Sequence, residues 1–168
     1  MDQATHPFGL AVPSGIVSTT GISGLTLGGG HGYLSRRHGL TIDNLIEADV
    51  VLADGTLVKA SERENADLFW GLRGGGGTFG IVTSFLFRAH PVTKVYGGPI
   101  FWDIEHASQV MRAYRDFLPT APEELGAFVG LKTVPSTEPF PKEHWGKRAV
   151  AVISSFNGPK ADGERALA

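Results

Sequence analysis

An α+β fold is expected for this chain, from three observations. Asp54-Gly55 lies between two β-prone runs, Val50-Val51-Leu52-Ala53 and Thr56-Leu57-Val58, which predicts a hairpin closed by a two-residue primed turn. Phe79, Ile81, Thr83, Phe85 and Phe87 alternate with Gly80, Val82, Ser84, Leu86 and Arg88, the period of a half-buried strand, and Pro91 stops it. Val110, Met111, Tyr114, Phe117 and Leu118 recur at helical spacing and predict a helix that ends at Pro119.

The remaining elements follow in order. Ser61-Glu62-Arg63-Glu64 has capping-box spacing ahead of a short helix over 65–72, which sets Leu68, Phe69 and Leu72 on the sheet and ends where glycines begin. Beyond Pro91 the pattern changes, with strands expected over 95–102, 127–134 and 148–156 and a proline-marked loop at Pro135, Pro139 and Pro141. A last helix should begin after Gly158-Pro159. Two domains are therefore expected, over 1–92 and 93–168. Trp70 and Trp102 fall in amphipathic patterns and should lie in the core. The uncapped helix at Ala166-Leu167-Ala168 and the structure-rich start read as parts of a longer protein.

Composition narrows the function. Apolar residues at 42% and charged ones at 19% belong to a globular chain, and a net charge of −2 without like-charge blocks gives no footprint for nucleic acid. No apolar run is long enough to span a bilayer, and the first residues lack a signal-peptide pattern, so no membrane partner and a cytoplasmic location are expected. Zero cysteines exclude disulfides and thiolate chemistry. His6, His38, His90, His106 and His144 share no metal-ligand spacing, so no metal site is expected.

The clear deviation is 23 glycines. Six of them fall within Thr19-Thr20-Gly21-Ile22-Ser23-Gly24-Leu25-Thr26-Leu27-Gly28-Gly29-Gly30-His31-Gly32, and four more form Gly74-Gly75-Gly76-Gly77 before the strand that follows Gly80. Such clusters suit backbone pressed against a large flat or phosphorylated ligand. A nicotinamide dinucleotide is one candidate, because Gly30-His31-Gly32 opens a Gly-x-Gly-x-x-Gly-like run with Asp49 at about ribose distance; the third glycine and the following long helix are missing. Neither cluster precedes Lys-Ser or Lys-Thr, which removes a P-loop. His31 has no identifiable carboxylate partner and is not assigned as a base. Asp43 should cap the adjacent turn.

The order and spacing of five signatures narrow the choice: Gly21 through Gly32 with Ser35-Arg36, Gly39-Leu40 and Asp43-Asn44; Ala53-Asp54-Gly55; Asn65 through Trp70; Leu72-Arg73 with Gly74 to Gly77; and Phe79-Gly80-Ile81-Val82-Thr83. Together they resemble the berberine bridge enzyme-like FAD-linked oxidases. That resemblance implies the second half of a PCMH-type, vanillyl-alcohol-oxidase-like FAD domain, followed by the start of an α+β substrate domain. It implies FAD as cofactor, with binding residues Thr20, Gly21, Gly24, Gly28, Gly29, Gly30, Asn44, Gly80, Ile81 and Val82; Asp43 and Asn44 would shape the turn, and the Gly80 strand would hold the adenine edge. The family's covalent histidine and pyrophosphate loop belong to an earlier half, and Val17 stands where many relatives carry a second, cysteine anchor. An oxidase acting on a small organic substrate is then the expected parent activity, with no catalytic base named. A fragment that keeps the fold but not FAD, self-associating through a face the missing half would cover, is the alternative, and a nicotinamide dehydrogenase the third.

Overall fold

The computed structural model describes residues 1–167 and divides into two compact units, Met1–Lys94 and a second that begins at Val95. In the first unit, α1 (Asp2–Thr5), β1 (Leu10–Ala11), α2 (Ile22–Leu27) and α3 (Ser35–His38) lead into β2 (Leu45–Val51), β3 (Leu57–Ser61), α4 (Ala66–Gly75), β4 (Ile81–Phe87) and β5 (His90–Pro91). An antiparallel sheet of order β3-β2-β4 forms the body, and β1 pairs with β5. Its core joins Ala48, Val50 and Ala60 from the sheet to Phe69 and Leu72 from α4 and Leu27 from α2.

The hairpin forms, with a different turn. The last ladder pair is Val51 with Leu57, and the Gly55 N–H donates to the Leu52 carbonyl at 3.0 Å while Leu52 N–H donates to Thr56 O at 2.9 Å. Gly55 takes φ 84°, so Asp54-Gly55 ends a type I turn with a glycine bulge rather than forming a two-residue primed turn. Asp54 Oδ1 accepts the Thr56 N–H at 2.9 Å, and that bond holds its carboxyl below the usual aspartate range.

The capping box also turns out differently. Ser61 Oγ accepts the Glu64 N–H at 3.2 Å and Ser61 N–H donates to Glu64 O at 2.8 Å, closing a turn ahead of the helix. The residue before α4 is Asn65 in the left-handed region, φ 49°, with Nδ2 donating to Lys59 O at 2.7 Å. Asn65→Ala is expected to lose about 1–2 kcal/mol in urea unfolding, since alanine fits that conformation poorly and the bond to Lys59 disappears; Asn65→Gly should lose less.

Phe69 and Leu72 are buried as expected, whereas Trp70 is 80% exposed and Trp102 37% exposed. On α4 the adjacent Phe69 already takes the sheet-facing position, and a neighbour one residue away points elsewhere. In β4 the alternation breaks as well: Val50 pairs with Val82 but Asp49 with Ser84, leaving Thr83 as an extra residue. The bulge switches parity, so Val82, Phe85 and Phe87 pack on the core and Ile81 is 72% exposed.

The second unit holds β6 (Tyr96–Asp103), α5 (Ala107–Phe117), β7 (Leu125–Thr133), β8 (Arg148–Phe156) and α6 (Lys160–Leu167). Its antiparallel sheet runs β6-β8-β7, with Leu125, Phe156 and Ala121 packed beside Tyr96, Ala166 and Leu167. Tyr114 on α5 donates its hydroxyl to Ala127 O at 2.7 Å, fixing helix to sheet. The proline loop folds back through Trp145 Nε1, which donates to Phe140 O at 2.9 Å, while Phe140 meets Phe101 edge-on. No described helix is long and apolar enough to cross a membrane.

Candidate functional site

The glycines of residues 21–32 divide into two groups. Gly21 precedes α2, and Gly24 lies one turn further; a Cβ built on either meets no atom within 4 Å. Both backbone positions therefore form an open shelf. Thr20 beside them is exposed, its N–H donating to Val17 O at 3.1 Å, and the apolar side chains of Ile16, Val17 and Ile22 are also exposed. Open backbone bordered by apolar side chains is the surface a flat polycyclic ligand covers.

The other group serves packing. Gly28 ends α2, with a virtual Cβ 3.2 Å from Gly24 O. At Gly29 and Gly30 φ is 113° and 78°, and their carbonyls accept the Ile42 and Thr41 N–H groups at 2.9 Å each. A Cβ on Gly30 would stand 2.4 Å from Thr41 Oγ1, and one on Gly32 would stand 1.8 Å from Ser14 O. These glycines permit the chain to double back tightly and so hold the shelf in place.

Asn44 is 3% exposed, and its side chain is fully engaged within the protein. Nδ2 donates to His38 O at 2.9 Å and Leu40 O at 2.8 Å, and Oδ1 lies 2.6 Å from His90 Nε2. Its position supports the turn and leaves no side-chain atom for a cofactor. Asp43 caps the same turn, Oδ2 accepting the Leu40 N–H at 2.8 Å, and pairs with Arg73 at 3.5 Å.

Gly80, with φ 149°, passes so close to β2 that a Cβ would meet Val51 O at 2.7 Å. Ile81 and Val82 begin β4, which is the outer strand of the sheet opposite β3 and, among the described residues, pairs with no strand on its far side. Its outer main-chain groups are available to a ligand. The second glycine cluster leaves helical geometry at Arg73 and Gly74, and Gly74, Gly76 and Gly77 are open above their α-carbons. Sequence reading did not single out the contact between His38 and His90, whose rings stack 4.0 Å apart; their distance in the chain carries no local signal. Two buried hydroxyls, Thr26 and Ser155, lack a hydrogen-bond partner among the described residues, where no cluster of three acidic or histidine side chains could hold a metal.

Residues 1–61 match the family described as FAD binding domain. An FAD-linked oxidoreductase of Dictyostelium discoideum is 37% identical over 166 residues, covering 98% of this chain and 34% of that protein. Glucooligosaccharide oxidase of Sarocladium strictum is 44% identical over 119 residues, covering 68% of this chain and 24% of the oxidase. The solved structure of Physcomitrella patens berberine bridge enzyme-like 1 superposes with TM-score 0.82 at 28% identity, covering 98% of this chain and 34% of that one. Over nearly its whole length the chain is similar to berberine bridge enzyme-like FAD-linked oxidoreductases.

The match of residues 1–61 to an FAD binding domain makes FAD the cofactor and replaces the nicotinamide reading. The shelf fits it: backbone at Gly21 and Gly24 that any side chain would occupy, apolar residues at its border, and no charged side chain among residues 14–30 to oppose an aromatic ring. The chain spans between about a quarter and a third of the length of these relatives.

Proposed function

We propose that this chain carries the shelf on which FAD rests in an oxidase of small organic molecules, together with the first strands of its substrate domain. The observation that carries this reading is the open glycine backbone at Gly21 and Gly24 within a segment of the FAD binding family. When bound, FAD supplies hydride acceptance at N5 from a carbon bearing an alcohol or amine, with reoxidation by dioxygen.

This chain's own part is to bind and orient. Gly21 and Gly24 admit the ring system to main-chain distance, and Ile16, Val17 and Ile22 keep water from its edge. Thr20 adds a hydroxyl beside the shelf, Gly28 to Gly30 hold its floor through Thr41 and Ile42, and the outer main-chain groups of Gly80, Ile81 and Val82 receive the adenine end. Cysteine is absent from the chain, so a cysteinyl flavin bond does not form here.

The test is anaerobic incubation of the FAD-loaded protein with alcohols, aldoses and amines. The proposal predicts bleaching of oxidised flavin by at least one class and recovery with peroxide release when air is admitted. Flavin that stays oxidised with every class while sulfite or dithionite bleaches it contradicts the oxidase assignment. A second reading, a chain that keeps the fold without retaining FAD and self-associates, is favoured by the exposure of Leu57, Trp70 and Ile81. Flavin content and sedimentation velocity on one preparation separate the two.

A further inference from the structure

His38 closes α3 and His90 opens β5, and their rings stack with centroids 4.0 Å apart and planes 22° apart. Asn44 ties the pair to the glycine segment. Both hydrogens of its Nδ2 are engaged by the carbonyls of His38 and Leu40, so Oδ1 must be the atom facing His90. The 2.6 Å contact then requires His90 Nε2 to donate, which fixes the neutral tautomer with its proton on Nε2. The Asn44 N–H donates to Thr41 O and its carbonyl accepts from the Arg88 N–H; the Thr41 and Ile42 N–H groups in turn donate to Gly30 and Gly29. A continuous path of hydrogen bonds therefore runs from His90 through Asn44 to the floor of the shelf.

Arginine side chains act on both rings. Arg37 bears on both of them and Arg88 on His90, while the nearby Asp43 carboxylate is turned toward the Leu40 N–H and Arg73. Two imidazolium rings stacked this closely repel. We propose that His38, His90 and Asn44 form a proton-sensitive latch on the FAD shelf, so that the protein holds FAD with both rings neutral and releases it as the pair takes up protons. This rests on the FAD-binding reading above.

The direction agrees with the electrostatics. Burial first, then His90 and Arg37, hold His38 below the ordinary histidine range; burial, then Arg88 and Arg37, do the same for His90. With the folded values depressed, both states are neutral above the ordinary value of about 6.5, and stability is complete there. As pH falls through that value the unfolded chain takes protons first, and stability declines until the folded rings also protonate.

The test follows thermal unfolding and FAD affinity of the full chain from pH 8 to pH 5, in the parent protein, in His38→Phe, which keeps a stacked ring without a charge, and in His90→Gln, which keeps a donor to Asn44. The latch predicts that the parent loses melting temperature below about pH 6.5 and binds FAD about tenfold more weakly at the acid end. Each single variant should lose part of both pH effects, because burial and Arg37 still act on the remaining ring, and the double variant His38→Phe with His90→Gln should lose most of both, all three binding FAD at pH 8 within about threefold of the parent. A parent without the decline, or variants that decline in parallel with it, overturn the latch. If unfolding shows the histidine effect but FAD binds at no pH, the link to the cofactor is overturned together with the FAD-binding reading; the unfolding curves keep that result distinct from failure of the histidine pair.

Discussion

Gly24→Leu is expected to fold at least as well as the parent chain and to bind FAD about 100-fold or more weakly, a loss of about 2.7 kcal/mol. The two halves of that expectation have separate causes. Gly24 lies inside α2 with open space above it, so leucine relieves the backbone entropy that glycine gives up in a helix, a gain of about 0.5–1 kcal/mol. The same side chain stands on the shelf where the flavin is assigned. Circular dichroism melting paired with FAD fluorescence titration reads both effects. A well-folded variant that binds FAD like the parent would place the cofactor elsewhere.

Gly32→Ala is expected to have the opposite profile, a loss of about 3 kcal/mol or more, from a total stability of about 5–15 kcal/mol. The added methyl would sit 1.8 Å from the carbonyl oxygen of Ser14, a backbone atom that no rotamer change can move. Gly32 N–H also donates to Ser35 Oγ at 2.9 Å, so displacing this residue loosens the start of α3. Urea unfolding, or recovery of soluble protein where the variant does not accumulate, measures the effect. A midpoint unchanged from the parent would mean that residues 14 and 32 are not held together as described.

Much of the fold was legible because its signals are local. The β8 strand over 148–156 contains a continuous apolar, β-prone run from Ala149 to Ile153 and ends at Asn157-Gly158, and α5 carries its apolar residues at helical spacing before Pro119, so local sequence located both. What failed depended on details that spacing does not carry. A single extra residue at Thr83 reversed which side of β4 faces the core, and a left-handed Asn65 took the place before α4 that the capping box had suggested for Ser61. Trp70 joined the solvent because Phe69 beside it filled the core position.

At the candidate site the glycine-rich segment stood out from composition, but the different duties of its glycines did not. Gly21 and Gly24 are open, whereas Gly30 and Gly32 are closed by Thr41 and Ser14, and only three-dimensional proximity separates the two groups. Asn44 was assigned to the cofactor with the rest of its motif. Its burial under His90 and its bonds to His38 and Leu40 turn that assignment into support of the turn behind the shelf. The pairing with His90 joins segments far apart in the chain and leaves no mark in either one.

The most direct measurement is the absorption spectrum of the purified chain after equilibration with FAD and removal of the excess, taken before and after acid precipitation, with the intact mass recorded alongside. The account predicts a flavin spectrum on the folded protein, flavin released into the acid supernatant, and an unmodified polypeptide mass. A folded but colourless chain that takes up no flavin at saturating FAD would contradict the assignment of the shelf at Gly21 and Gly24 as the cofactor's seat.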